Sequence, residues 1–126
     1  MNNKDSGTLF EERFMKAAID AGYYIQQMPP RVGYDFLLGM GNDLQVIETK
    51  FIQDSRLRLK HFTPIEIRTA EEMTEKGTDY NIVFPLFHTF GLIEWKSIRA
   101  ALFGGKGVML NDPFSRRALP EIKEIS

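Results

Sequence analysis

Three acids and one lysine have the types and spacing to do chemistry. Asp35 stands 13 residues before Glu48, and Lys50 follows Glu48 by two. Between the acids, Met40-Gly41-Asn42-Asp43 carries a Gly-Asn turn signal, flanked by the β-prone runs 34–39 and 44–51. A hairpin centred between Gly41 and Asn42 sets Asp35 directly opposite Glu48. Cβ atoms of such a pair lie about 4.5–5.5 Å apart. Side chains alternate along a strand, so Lys50 projects on the face of Glu48. Opposed carboxylates repel each other unless a cation lies between them. Magnesium suits the pair: it is a hard ion held by one or two carboxylates, with water and phosphate completing its shell.

Glu-x-Lys occurs three times, at 48–50, 94–96 and 121–123. Register separates the copies. Asp79 would face Glu94 only around a turn at Leu86-Phe87, inside an apolar run, whereas the turn signal comes at 88–91. Glu121 follows Pro120 in what reads as a C-terminal tail. The third acid comes from a helix. With Phe10 at zero and about 100° per residue, Phe14 and Ala21 share one stripe, Glu11 borders it and Glu12 faces water. Glu11 is therefore expected to look along the sheet surface.

The elements that must position these groups follow from punctuation. A helix is expected over 7–21, with Ser6 as N-cap and Gly22 as the stop. A short strand at 23–27 ends in Met28-Pro29-Pro30. The hairpin strands are apolar on both faces, Phe36 and Leu38 against Leu37, and Leu44 and Val46 against Ile47 and Phe51. Such strands belong in the middle of a covered sheet. Residues 52–62 read as a polar, basic loop. Thr63, Pro64 and Glu66 form a capping box with proline at the first helical position, opening a helix that runs to about Lys76 before Gly77. A strand at 80–87, with Pro85 marking an early end or an edge, precedes a strand at 91–95 and a helix at 96–103. Beyond Lys106 no element is legible. Glu71, Glu72 and Glu75 read as a solvated helix face, and Phe84, Phe87, Phe90 and Trp95 as core or a dimer face.

Composition sets the bounds. The 126 residues suit one domain, and 16 Lys plus Arg against 17 Asp plus Glu exclude a polybasic coat or an acidic tail. Zero cysteines exclude a disulfide scaffold, a thiolate zinc site and a thiol nucleophile. His61 and His88 lack ligand spacing, no nucleophile elbow is present, and Gly104-Gly105-Lys106-Gly107 lacks the phosphate-loop form. No apolar run is long enough to span a membrane, and the N-terminal stretch carries no apolar signal segment.

Gly7 followed by Glu11, then Asp35, then Glu48-Thr49-Lys50 resembles the PD-(D/E)XK nuclease superfamily. Within it the likeness is greatest to the small Holliday junction resolvases of the archaeal and RecU types, which share the glycine-to-glutamate step and the 13-residue step from Asp to Glu. Met28-Pro29-Pro30 resembles a proline-containing stretch of the RecU type. Tyr34 replaces the proline, and the long RecU-type insertion ahead of the aspartate is absent. The resemblance covers roughly residues 6–90.

It implies a restriction-endonuclease-like α/β sandwich, a central mixed β-sheet flanked by helices. It also implies a magnesium- or manganese-dependent DNA endonuclease. Asp35, Glu48 and the Thr49 carbonyl would ligate the metal, and Glu11 would complete a second metal position. Lys50 would orient the attacking water and offset charge at phosphorus. Arg56, Arg58, Lys60 and His61, following the hairpin, would grip DNA phosphates. A four-way junction would be cut by a homodimer, inside the cell and on DNA, and the small size permits a phage origin. Two alternatives stay open: another nuclease of this fold acting on duplex ends, flaps or specific sites, and a non-catalytic DNA-binding domain.

Overall fold

The computed structural model describes residues 5–87, 89–111 and 117–123. Helix α1 (Ser6–Asp20) leads to β1 (Tyr24–Gln27), β2 (Phe36–Met40) and β3 (Asp43–Thr49). After β4 (Arg56–Leu57) and a 3-10 turn (Leu59–His61) come α2 (Pro64–Glu75), β5 (Tyr80–Leu86) and β6 (Thr89–Glu94). Helix α3 (Trp95–Phe103), β7 (Val108–Met109) and β8 (Arg117–Lys123) complete the described chain. The main sheet has six strands in the order β1-β2-β3-β5-β6-β8; β4 and β7 form a separate two-stranded sheet. Only β3 and β5 run parallel among the ladders, so the sheet is mixed. No described helix is long and apolar enough to cross a membrane.

The expected α/β sandwich is present. Strands β2 and β3 occupy interior positions and are covered on both faces. On one face Phe10, Phe14, Ala17 and Ala18 of α1 pack on Phe36, Leu38, Ile47, Val83 and Phe90. On the other, Val46, Ile82, Phe84 and Ile93 meet Ala70 of α2 and Trp95, Ile98 and Leu102 of α3. The hairpin register pairs Phe36 with Ile47 and Met40 with Asp43, as a turn centred on Gly41-Asn42 requires. Gly41 sits at φ 67°, where a side chain would be strained.

Several expectations are corrected. Asp5, not Ser6, caps α1, its carboxylate accepting the Thr8 N–H at 2.7 Å. Leu44 is 63% exposed, because the helices stop short of the hairpin's turn end. The segment 52–62 is not merely a loop: Leu57 is fully buried where β4 pairs with β7. Strand β5 is interior, yet Pro85 costs it nothing. Strand β3 pairs only as far as Val83, so beyond it one side of β5 has no neighbour needing a donor. The β5–β6 ladder already pairs Leu86 with Thr89, ahead of the expected turn, and sets Asn81 opposite Glu94. Asp79 does not face Glu94; Lys96 bridges both at the surface, at 3.1 and 3.4 Å. The tail carrying Glu121 is strand β8, which closes the sheet beside β6. Glu71 is not merely solvated: it accepts from Trp95 Nε1 at 2.8 Å and pairs with Arg99. Phe84, Phe90 and Trp95 are buried in the core, and of that set only Phe87 is exposed. His88 lies outside the described residues.

Candidate active site

The hairpin register brings Asp35 one step beyond the last ladder pair, opposite Glu48. Two backbone bonds hold it there. Its N–H donates to the Ile47 carbonyl at 2.9 Å, and its carbonyl accepts the Met28 N–H at 2.8 Å. The Asp35 carboxylate turns to Thr49, with Oδ2 accepting both the Thr49 N–H at 2.8 Å and the Thr49 hydroxyl at 2.7 Å. Asp35 is thereby fixed against the end of β3.

Glu48 shares the parity of Val46 and so points to the α2 face of the sheet. It is only 2% exposed. Its Oε2 lies 3.0 Å from Lys50 Nζ, while its buried Oε1 has no hydrogen-bond partner. Lys50 also reaches Glu66 Oε1 at 2.9 Å and lies 4.8 Å from the centre of the Phe62 ring. Glu66 is held in turn by its capping box, its carboxylate accepting the Thr63 N–H at 2.9 Å. Lys50 is thus clamped between two carboxylates over an aromatic face, by the first turn of α2.

Glu11 arrives from the other side of the sheet. Helix α1 covers the opposite face, so Glu11 does not look along the surface that carries Glu48. It reaches round the end of the sheet to Asp35, with which it shares a hydrogen bond. Glu11, Asp35 and Glu48 line one cleft of about 880 Å³, which most of the loop 28–34 also lines. They also line a smaller neighbouring hollow of about 260 Å³, together with Asp5, Gly7 and Thr8 at the start of α1. Glu12 lies on the exposed side of the helix.

Crowded acids with little water titrate abnormally. Burial, then the charge of Asp35 and the hydrogen bond to it, pushes the Glu11 carboxyl up to about 7. Burial, then the hydrogen bond to Glu66 and the charge of Asp35, pushes Glu48 up to about 10; Lys50 pulls the other way and does not win. For Glu66 burial raises the pKa, but the hydrogen bond from Glu48 and the Lys50 charge outweigh it and hold the carboxylate below its usual range. Burial alone would lower Lys50; Glu48 and Glu66 raise it.

This donor set suits a hard divalent cation. It offers only oxygens, and one of them, Glu48 Oε1, is buried without a partner. Among the described residues no three His, Asp or Glu groups are gathered closely enough to enclose a metal by themselves. Magnesium does not require that, since one or two carboxylates suffice when water and phosphate fill the rest.

The basic segment is placed less centrally than expected. Arg56, Arg58, Lys60 and His61 lie on the chain joining β3 to α2, but none of them lines the cleft. Arg58 is paired with Asp54 at 3.0 Å. His61 Nδ1 accepts the Arg58 N–H at 2.9 Å, and burial, with Lys60 and Arg58 nearby, lowers its pKa. Two participants lie outside the residues that the sequence assigned to the site. Glu66 was legible as a cap, and a cap that begins 13 residues after Lys50 could have been suspected of meeting it. Arg31, which lines the cleft, carried no signal beyond its place after two prolines.

Comparison with known proteins fits this architecture. No family model and no curated protein matches the chain. Among solved structures the chain has likenesses, and they are likenesses of fold. One of these structures is Hjc, a Holliday junction resolvase from the archaeal hyperthermophile Archaeoglobus fulgidus. The match has 18% identity and a TM-score of 0.57, and it covers 74% of this chain and 75% of that one.

Proposed function

We propose that this chain is a metal-dependent DNA endonuclease that resolves four-way junctions. The observation that carries the proposal is the meeting of Glu11, Asp35 and Glu48 in one cleft beside Lys50, at the end of the central hairpin. The fold shared with a junction resolvase adds support.

Asp35, Glu48 and the Thr49 carbonyl would hold magnesium or manganese, with Glu11 at a second position. Bound there, the ion supplies Lewis acidity, making water a stronger nucleophile and stabilising charge at phosphorus. The protein's own groups do the rest. Thr49 fixes the Asp35 carboxylate through two hydrogen bonds, so that it is preorganised. Lys50, anchored by Glu66 over Phe62, keeps an ammonium beside the reacting phosphate and orients the attacking water. Arg56, Arg58, Lys60 and His61 contact DNA farther from the cut, while Arg58 exchanges Asp54 for phosphate. Two symmetric cuts call for two copies, so the working form is a homodimer acting inside the cell.

The test is cleavage of a labelled four-way junction beside a linear duplex of matched sequence, with and without magnesium. Metal-dependent, symmetric cutting of the junction alone is the expected result. Cutting of both substrates would place the enzyme among nucleases for other DNA structures. Binding without cutting would make it a DNA-binding domain on a nuclease fold.

A further inference from the structure

The cleft has two walls of different character. One is the carboxylate wall, Glu11, Asp35, Glu48 and Glu66. The other is the loop 28–34, and on it Arg31 is the sole basic residue among those lining the cleft. Arg31 is exposed and makes no ion pair among the described residues.

The loop is built to hold this residue still. Pro29 and Pro30 each fix one backbone dihedral just before it. Arg31 itself adopts φ 70°, a left-handed conformation that is strained for a residue with a side chain. Two residues on, Gly33 takes φ 100° and lies so close to Thr69 of α2 that a Cβ would collide with the threonine hydroxyl. The Gly33 carbonyl accepts the buried Tyr80 hydroxyl at 2.7 Å. At its base the loop is closed by the bond from Met28 N–H to the Asp35 carbonyl, 2.8 Å long. The same short loop therefore holds Asp35 at one end and Arg31 at its tip, in a fixed relation. Arg31 is thus an exposed cation on a strained, tethered loop that lines the same cleft as the four acids.

We propose that Arg31 is a phosphate-binding residue of the cleft, gripping a backbone phosphodiester of the nucleic-acid strand laid between the loop and the carboxylates. This rests on the nuclease reading for the identity of the strand. The chemistry is that of a planar guanidinium with a phosphodiester, which it can engage through two parallel hydrogen bonds. A polyanion entering a cleft lined by four acids is favoured by a counter-charge in that lining, and Arg31 is its only basic residue among the described ones. Its role differs from that of Arg56, Arg58, Lys60 and His61, which lie outside the cleft.

The experiment measures binding apart from cutting. The substrate is a fluorescent four-way DNA junction, and the protein is the full chain carrying Asp35→Asn, with Arg31 intact or changed to Gly or Lys. Glycine tolerates φ 70° better than arginine does, so Arg31→Gly removes the charge without added strain, and a melting curve confirms folding. We expect Arg31→Gly to weaken binding about tenfold and to reduce the slope of log affinity against log salt by about one phosphate contact. Arg31→Lys should restore the salt slope but only part of the affinity, because a point charge replaces a bidentate one. Equal affinity and slope for the intact and Arg31→Gly proteins would overturn the proposal, as would no DNA binding by any of them. Cleavage by protein with native Asp35, run in parallel, separates the two claims. Cutting with Arg31-independent binding removes Arg31 alone; Arg31-dependent binding without cutting removes the nuclease reading and leaves the phosphate grip.

Discussion

Glu11 and Glu12 are neighbours in sequence and differ in setting. Glu11 lines the cleft and hydrogen-bonds to Asp35, while Glu12 lies on the exposed side of the helix. If Glu11 helps to stabilise charge that develops only in the transition state, its loss must appear in the chemical step. Glu11→Gln is expected to slow single-turnover cleavage at least a hundredfold, about 2.7 kcal/mol, and Glu12→Gln to change it little. Equal rates for the two variants would remove Glu11 from the site. The same residue also predicts a pH effect in metal-free protein. Glu11 titrates near 4.5 in the unfolded chain and is pushed up to about 7 when folded, so across that window the folded state holds a proton that the unfolded state has lost. Its contribution to stability is therefore fully present below about 4.5 and is lost as the pH rises through about 7. Melting temperatures taken in chelator from pH 5 to pH 8 should fall more steeply for the native protein than for Glu11→Gln. Parallel profiles would show that the acid crowding at Glu11 has no energetic weight.

At the scale of elements, the site is assembled by four of them: the start of α1, the loop before β2, the end of β3 and the first turn of α2. Turn chemistry and caps made much of this legible. Gly41-Asn42 set the hairpin register, and Thr63-Pro64-x-Glu66 set the start of α2 within a residue. What local signals do not encode is which elements meet. Whether Glu66 reaches Lys50 depends on how the chain from β3 crosses back to α2, and the side of the sheet taken by α1 decides that Glu11 must come round the end. Strand β8 was invisible because its partner, β6, is distant in sequence. The loop 28–34 belongs to the same class, since its shape is set by Tyr80 and Thr69 from elsewhere in the chain. Tyr80→Phe leaves the buried Gly33 carbonyl unpaired, at a cost of about 1–3 kcal/mol. Urea unfolding should show that loss as a lower midpoint with an unchanged slope. An unchanged midpoint would mean that the loop holds its shape without this bond.

At the scale of the whole molecule, the sheet holds the acidic site at one end of its interior strands, with helices sealing both faces, and the fold is shared with a junction resolvase. The central claim is that the Glu11, Asp35, Glu48 and Lys50 constellation cuts DNA through a metal, while other groups hold the substrate. Asp35 tests it most directly, because it is anchored by Thr49 and by backbone bonds that an amide can largely preserve. The decisive measurement compares native protein with Asp35→Asn on one labelled four-way junction, recording both magnesium-dependent single-turnover cleavage and gel-shift affinity. The account predicts that Asp35→Asn abolishes cleavage and retains binding. Cleavage by the variant at the native rate, or loss of binding as complete as the loss of cutting, would contradict it.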